Sequence, residues 1–237
     1  MIISRSRRFS FVHIHKTGGT SVEQALDPHL AWYDLILGGS RFGEELQKPY
    51  AARFKLHKHS SVAEIESICG AEYVEDYFLF SVVRHPLARA CSLYNFAAST
   101  LNKWANSQGL TLDEVAAHIT RESARKKPGL KWASSRAFME SRNFSEFIRH
   151  EKVAGAPGFR TQVSSLKNSS GNLKGQFYRI EDHDRWAAAL SDRLRIDIRL
   201  PRANASTVTL ADEPAVSDDD RRYIENRFRE DYETFGY

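Results

Sequence analysis

Residues 13–21, HIHKTGGTS, combine a lysine, two glycines and three hydroxyl side chains between an apolar run and a helical pattern. A strand, a glycine-rich turn and a helix in this order point backbone N–H groups and the positive end of the helix dipole at one spot. The glycines let the backbone approach a ligand closely, while the lysine adds a full positive charge. An ordinary tight turn would need neither the lysine nor the hydroxyls. We therefore expect a phosphate-binding loop made of Lys16, Thr17, Gly18, Gly19, Thr20 and Ser21.

A second apolar run, at residues 77–83, ends on a cation rather than an acid. The loop at 13–21 departs from the pattern G-x-x-x-x-G-K-[ST], because Lys16 precedes the glycines. Phosphoryl-transferring enzymes with such loops place an aspartate after a neighbouring strand to hold Mg²⁺. Here Arg84 follows the run, and Ser92 lies about two helical turns further on. This pattern predicts a second phosphate site and no metal; a salt bridge at the strand end is the structural alternative for Arg84.

The amino-acid composition and the length of the apolar runs argue against two classes of protein, those that coat nucleic acid and those that span a membrane. The 34 basic residues exceed the 30 acidic ones by only four, too few for a protein that coats nucleic acid. The first apolar run is about six residues long, shorter than a signal peptide or membrane span needs. We expect no transmembrane segment and a cytoplasmic location, with peripheral membrane association left open. Cys69 and Cys91 are expected to be buried, reduced thiols.

The positive charge is concentrated in one stretch, residues 121–136, RESARKKPGLKWASSR. It is either a solvated loop or a contact surface for an anionic partner. Trp132, within it, or Trp104 could stack on a sugar face, although such aromatic residues are more often part of a core.

Strand and helix patterns alternate along the chain. Because such alternation is typical of parallel βαβ units, we expect a single domain over residues 1–237, a three-layer α/β/α P-loop-like sandwich around a central parallel β-sheet. The segment from about 100 to 135 is expected to be irregular, with one helix near 112–120. The predicted strands are 9–14, 77–83 and 175–180, and the predicted helices are 21–30, 60–69, a segment beginning at 86, 143–150, 181–195 and 217–237.

Two of these segments resemble a known family. FVHIHKTGGTS and FLFSVVRHPLARACSLYNF are similar to the two nucleotide motifs of the sulfotransferase superfamily. The likeness is to its carbohydrate branch, which includes uronyl and heparan 2-O-sulfotransferases and bacterial relatives. LHKHSSVAEI, FRTQVS, LPRANAS and REDYETFGY follow in the family's order, so the resemblance covers most of the chain and is weakest between about 97 and 140.

This resemblance implies an enzyme that moves a sulfuryl group from 3′-phosphoadenosine-5′-phosphosulfate (PAPS) to a hydroxyl, with PAPS as co-substrate and no metal. A donor with separate 5′ and 3′ phosphate groups also matches the two phosphate sites. The phosphate-binding loop would hold the 5′-phosphosulfate, with Lys16 neutralising the leaving oxygen. Arg84 and Ser92 would hold the 3′-phosphate, and Ser206 resembles a later position near the same end of the nucleotide. The acceptor would be a carbohydrate, and the basic stretch would suit an acidic saccharide.

The catalytic base is also carried over from the resemblance. An H-x-H pair between the two nucleotide motifs supplies the base in the uronyl 2-O enzymes, which implies His59 here, with His57 assisting. Histidine suits this role near neutral pH. His15 stands where relatives commonly have proline, which alters loop stiffness but removes no donor.

Several alternatives stay open at this stage. The H-x-H pair could cap the helix at 60–69, or bind zinc, although no third ligand stands at a convincing spacing. The chain could be an atypical P-loop kinase, which would need Mg²⁺. It could also be a non-catalytic protein that binds a nucleotide, an anionic glycan or nucleic acid through the basic stretch.

Overall fold

The computed structural model describes residues 1–112, 114–115, 130–200 and 214–237. These residues group into two compact units that interleave along the sequence. The first unit comprises the described residues of 1–85, 161–200 and 230–237, and the second comprises those of 86–160 and 214–229. The single domain over 1–237 stays a prediction.

The first unit is built on a five-stranded sheet in the order β3-β1-β2-β4-β5. Strands β2, β4 and β5 are parallel and correspond to the three predicted strands, although β2 ends two residues early. Strand β1 pairs antiparallel with both β2 and β3, an extension that the sequence pattern does not predict. The bounds are β1 Ile2–Ser4, β2 Phe9–Val12, β3 Leu35–Ile36, β4 Phe78–Val83 and β5 Gln176–Arg179.

Among the described residues, each helix predicted outside 112–120 has a counterpart, and five further helices were not predicted: those beginning at Arg41, Ala71, Ala133, Glu151 and Gln162. Those of the first unit up to β4 are α1 (Gly19–Leu26), α2 (Arg41–Phe54), α3 (Val62–Cys69) and α4 (Ala71–Asp76). The second unit then contributes α5 (Pro86–Ser107), α6 (Ala133–Glu140), α7 (Phe144–Arg149) and α8 (Glu151–Ala154). The remaining helices are α9 (Gln162–Leu166), α10 (His183–Leu194), α11 (Asp218–Arg227) and α12 (Arg229–Phe235).

Both faces of the sheet are covered, which produces the three layers expected. Side chains alternate between faces along a strand. Phe9 and Phe11 of β2 pack in one cluster with residues of α1 and α10. Val12, the next residue, packs on the other face in a cluster with residues of α3, α4 and α9. The α/β sandwich is therefore confirmed in the first unit, with the antiparallel edge as a correction to an all-parallel sheet.

The helix ends explain why several boundaries could be predicted. The Ser61 hydroxyl accepts from the Glu64 N–H at the start of α3, and the Glu64 carboxylate accepts in return from the Ser61 N–H. Asn143 caps α7 in a similar way, and Ser217 caps α11. Such caps satisfy N–H groups that have no partner within the helix. The C-terminal segment differs from expectation, since α11 and α12 are separated at Phe228, whose backbone leaves the helical region.

The second unit has its own aromatic contacts. The ring of Tyr94 on α5 packs against those of Phe138, Phe144 and Phe147 at centroid distances of 4.9, 5.6 and 5.1 Å. Helix α5 continues to Ser107, so the irregular segment begins later than expected, and most of the helix predicted near 112–120 lies outside the described residues. Within the described ranges, no helix is both long and apolar enough to cross a bilayer. Cys69 and Cys91 form no disulfide and are half-buried rather than fully buried.

Candidate active site

The phosphate-binding loop lies at the carboxyl end of β2 and leads directly into α1. Two of its residues, Lys16 and Gly18, have positive φ values of 66° and 79°. Gly18 is the N-terminal cap residue of α1, and its carbonyl accepts from the Ser21 N–H at 3.0 Å. Thr20 is half-buried in the first turn of the helix. The loop thus presents the positive end of an eight-residue helix at the carboxyl edge of the sheet, where ligands of parallel sheets bind.

Gly19 and Thr17 shape the loop from within. A Cβ atom on Gly19 would lie 2.3 Å from Cδ2 of His13, so only glycine fits against that ring. The Thr17 side chain is fully buried, and its hydroxyl donates to the Ile14 carbonyl at 3.0 Å. The Thr17 hydroxyl therefore closes the loop, a structural contribution that the sequence pattern did not distinguish from ligand binding.

A buried carboxylate lies beneath the loop, and sequence reasoning missed it. Glu23 of α1 is fully buried and accepts from Nδ1 of His13 at 2.7 Å, and it also contacts the Met1 ammonium group. The Lys58 ammonium lies 3.8 Å from its other oxygen. Burial lowers the pKa of His13 well below its usual range, so this ring is neutral and serves as a donor. Glu23 thereby fixes the histidine ring on which Gly19 packs.

Lys16 and Arg84 lie within electrostatic reach of each other. Burial, and then the charge of Arg84, lower the pKa of Lys16 from 10.5 to about 8. Arg84 follows the last residue of β4, and Lys16 follows β2, the neighbouring parallel strand. The carboxyl ends of these strands therefore bring two cations together. An anion between them would relieve their repulsion and restore the pKa of the lysine.

His59 lies against the loop with its ring orientation fixed. Its Nδ1 contacts the His13 carbonyl at 2.8 Å, and because a carbonyl only accepts, Nδ1 carries the proton. Its ring stacks on His15 at a centroid distance of 3.5 Å and meets His13 edge-on at 4.6 Å. Burial first, and then the neighbouring His13 and His15 imidazoles, which oppose a further positive charge, lower the pKa of His59 far below its usual value. The neutral ring keeps its lone pair on Nε2.

His57 is engaged differently. Its Nδ1 accepts from the backbone N–H of His59 at 3.1 Å, so its other nitrogen carries the proton in the neutral form. That nitrogen lies 4.0 Å from a Glu64 carboxylate oxygen, and nearly half of the side chain is exposed. The cap of α3 is Ser61, so neither histidine of the pair has that role. His57 stabilises the turn that presents His59.

The backbone of Arg84 is held by a side chain from α9. Its N–H donates to Oε1 of Gln162 at 2.9 Å, and its carbonyl accepts from Nε2 of the same side chain at 2.9 Å. The next residue, His85, packs edge-on against Tyr232 and Tyr237 at centroid distances of 5.4 and 5.2 Å. The sequence did not identify Gln162 as a site residue. The signal that could have found it was its place in FRTQVS, one of the segments that carry the family resemblance.

The remaining predicted residues are Ser92, Ser206 and those of the basic stretch at 121–136. Ser92 is half-buried on α5, in the second unit, and its pairing with Arg84 stays a prediction. Ser206 lies outside the described residues, as do residues 121–129 of the basic stretch. In the described part of that stretch, Trp132 is 48% exposed and carries the Lys131 ammonium 4.8 Å from its ring centroid.

The H-x-H pair of His57 and His59 is a potential source of metal ligands. In the part of the chain that the structure describes, no three histidine, cysteine, aspartate or glutamate side chains converge as metal ligands. His57 and His59 each use Nδ1 for a backbone contact.

The comparison with known families agrees with the resemblance noted in the sequence. The chain matches the model of the sulfotransferase family over residues 1–237 and belongs to this family. No curated protein and no solved structure gives a significant match. The protein is therefore a sulfotransferase, an enzyme that transfers a sulfuryl group from a donor to an acceptor.

Proposed function

We propose that the donor is PAPS and that the acceptor is a hydroxyl of a carbohydrate. The observation that carries this proposal is the proximity of Lys16 and Arg84, at the ends of neighbouring parallel strands. Two cations in a partly buried site favour a ligand with more than one anionic group. PAPS has such groups at its 5′ and 3′ positions, and a nucleoside triphosphate would be expected to need a metal carboxylate after β4.

The loop and Lys16 act on the 5′ end of the donor. Backbone N–H groups at the start of α1 stabilise the phosphosulfate, and Thr20 and Ser21 add hydroxyls. Transfer forms a bond from the acceptor oxygen to sulfur and breaks the bond from sulfur to the 5′-phosphate oxygen. Negative charge grows on that leaving oxygen, where the ammonium group of Lys16 stabilises it. Adenosine 3′,5′-bisphosphate is the second product.

Arg84 acts on the 3′ end of the donor, with Ser92 and Ser206 as its proposed companions. A guanidinium group binds phosphate through two parallel hydrogen bonds. This contact would distinguish PAPS from nucleotides without a 3′-phosphate. The remainder of the donor would be positioned by the loop, so orientation rather than covalent catalysis supplies the rate.

His59 is the base in this proposal, and His57 assists by holding its backbone. The lone pair on Nε2 of His59 accepts the proton of the acceptor hydroxyl as the oxygen attacks sulfur. A low pKa keeps the ring neutral, so its lone pair can accept a proton, although the same low pKa makes His59 a weaker base. Bound phosphosulfate is anionic and raises the pKa of a neighbouring imidazole, which strengthens the base when the donor is present.

The proposal for the acceptor rests on residues of the second unit. Trp132 exposes about half of its surface beside Lys131, a combination of an aromatic face and a cation that suits an acidic saccharide. Arg136 of the same stretch donates to the carbonyls of Leu130 and Lys131 at 2.7 and 3.1 Å, so it supports this segment. The assignment to the carbohydrate branch and the cytoplasmic location are likewise proposals.

The test is a transfer assay with PAPS and a panel of saccharides, in which product mass is read by mass spectrometry. We expect a gain of one sulfuryl group on an acidic saccharide, without added divalent metal. Transfer confined to lipid or small phenolic acceptors would contradict the carbohydrate proposal. Intact donor binding without transfer to any acceptor would indicate a non-catalytic nucleotide-binding protein.

A further inference from the structure

Arg84 lies just beyond the hydrogen-bonded part of the sheet. The last paired residues of β4 and β5 are Val83 and Arg179. The N–H and C=O groups of Arg84 are paired instead with the side-chain amide of Gln162, through two hydrogen bonds of 2.9 Å. A side-chain amide offers both an acceptor and a donor, so it can pair with Arg84 as the backbone of a neighbouring strand would. It fixes the backbone from which the guanidinium extends.

Gln162 is held in turn by a buried carboxylate. Asp231 of α12 is fully buried, and one of its oxygens accepts from the backbone N–H of Gln162 at 2.9 Å and from its Nε2 at 3.3 Å. The other oxygen accepts from the Val163 N–H at 3.0 Å. A buried charge is unfavourable unless several hydrogen bonds compensate it, and these three bonds do so. They also replace a side-chain cap at the start of α9.

The two contacts form a continuous path from α12 to the end of β4. An arginine side chain loses rotamer entropy when it is immobilised, so its binding geometry depends on a fixed point of attachment. Because Nε2 of Gln162 donates both to the Arg84 carbonyl and toward Asp231, the carboxylate sets the orientation of the amide. A rotated amide would place its oxygen against the carbonyl of Arg84.

We propose that Gln162 and Asp231 are positioning residues for recognition of the donor's 3′-phosphate, acting through Arg84. This inference rests on the proposed role of Arg84. Neither side chain needs to touch the nucleotide. Their effect is on how well the enzyme distinguishes a nucleotide that has a 3′-phosphate from one that lacks it.

The experiment measures a ratio of dissociation constants by titration calorimetry. The ratio is Kd for adenosine 5′-monophosphate divided by Kd for adenosine 3′,5′-bisphosphate, and it reports the 3′-phosphate alone. The variants are Gln162→Met, which removes both bonds to Arg84, and Asp231→Asn, which keeps the size of the side chain but removes its charge. Arg84→Ala gives the reference for complete loss. Tyr73→Phe is the matched control, because it removes a part-buried hydrogen bond to Ser10 in the same unit.

A charge-assisted pair of hydrogen bonds to phosphate predicts that Arg84→Ala lowers the ratio by about tenfold or more. We expect Gln162→Met to lower it by at least about threefold, and Asp231→Asn to lower it in the same direction. A merely structural role would reduce thermal stability and leave the ratio unchanged, as we expect for Tyr73→Phe. If Gln162→Met does not fold, Asp231→Asn decides the question.

Two outcomes overturn the proposal and can be told apart. If Arg84→Ala lowers the ratio but Gln162→Met and Asp231→Asn keep the wild-type ratio, the positioning role is wrong and the role of Arg84 stands. If Arg84→Ala itself keeps the wild-type ratio, Arg84 does not read the 3′-phosphate, and the positioning role falls with it.

Discussion

If Lys16 binds the donor as proposed, its lowered pKa should make donor binding dependent on pH. Burial and the charge of Arg84 lower this pKa to about 8 in the protein without ligand. An anion bound at the loop favours the charged lysine and raises its pKa. Binding above pH 8 therefore requires uptake of a proton, and affinity must fall as pH rises.

The size of the effect follows from the protonated fraction. With a pKa of about 8, Lys16 is about 90% protonated at pH 7 and about 10% protonated at pH 9. If the bound state keeps the proton throughout, Kd for adenosine 3′,5′-bisphosphate rises about tenfold between these two values. At pH 8, binding should take up about half a proton, since half of the lysine is then unprotonated. Calorimetry in buffers of different ionisation enthalpy measures both quantities.

The matched control is Lys16→Arg, which keeps a positive charge that does not titrate in this range. We expect its affinity to be nearly independent of pH between 7 and 9. Contributions from other groups, such as the buried Met1 ammonium, would be the same in both proteins and cancel in the comparison. A flat profile in the wild-type enzyme, or an equal slope in Lys16→Arg, would remove Lys16 from the donor site.

Three further predictions concern the base, the loop and the acceptor. His59→Ala should lower the transfer rate by about 10²- to 10⁴-fold with donor affinity nearly unchanged, and a larger effect from His57→Ala would show that the base is misassigned. Gly19→Ala should destabilise the fold by about 1–3 kcal/mol in denaturant unfolding, because its Cβ would meet a histidine ring at 2.3 Å, and an unchanged midpoint would contradict this. Trp132→Ala should raise KM for a saccharide acceptor several-fold without altering donor Kd, whereas Trp32→Ala, at a tryptophan that is 94% exposed, should change neither; equal effects of the two would argue against sugar stacking.

Local patterns in the sequence predicted those strands and helices whose own residues favour that conformation. The continuous apolar run of β4 indicated a strand covered on both faces, and a serine at 60 or 61 before an apolar helical pattern indicated the start of α3. The turn between β2 and α1 could also be predicted, because its lysine and two glycines lie within four residues, whereas its binding of phosphate stays a prediction. In contrast, β1 and β3 have only three and two residues, too few for a periodic signal.

Contacts between distant parts of the chain could not be predicted in this way. Gln162 and Asp231 are 69 residues apart, and neither stands in a pattern that links it to Arg84. Glu23 has the position of an ordinary polar residue on α1, and only the folded chain buries it against His13. The tautomer of His59 also depends on a tertiary contact, since the carbonyl of His13 shows which nitrogen of His59 carries the proton. The assignment of His59 as the base stays a prediction.

The central claim is that two cations, Lys16 and Arg84, bind the separate phosphate groups of a 3′-phosphorylated nucleotide without a metal. Calorimetric titration of adenosine 3′,5′-bisphosphate and of ADP, each with and without Mg²⁺, tests it most directly. We predict tighter binding of the bisphosphate, with no need for Mg²⁺. Equal or tighter binding of ADP, or bisphosphate binding only when Mg²⁺ is present, would contradict the claim.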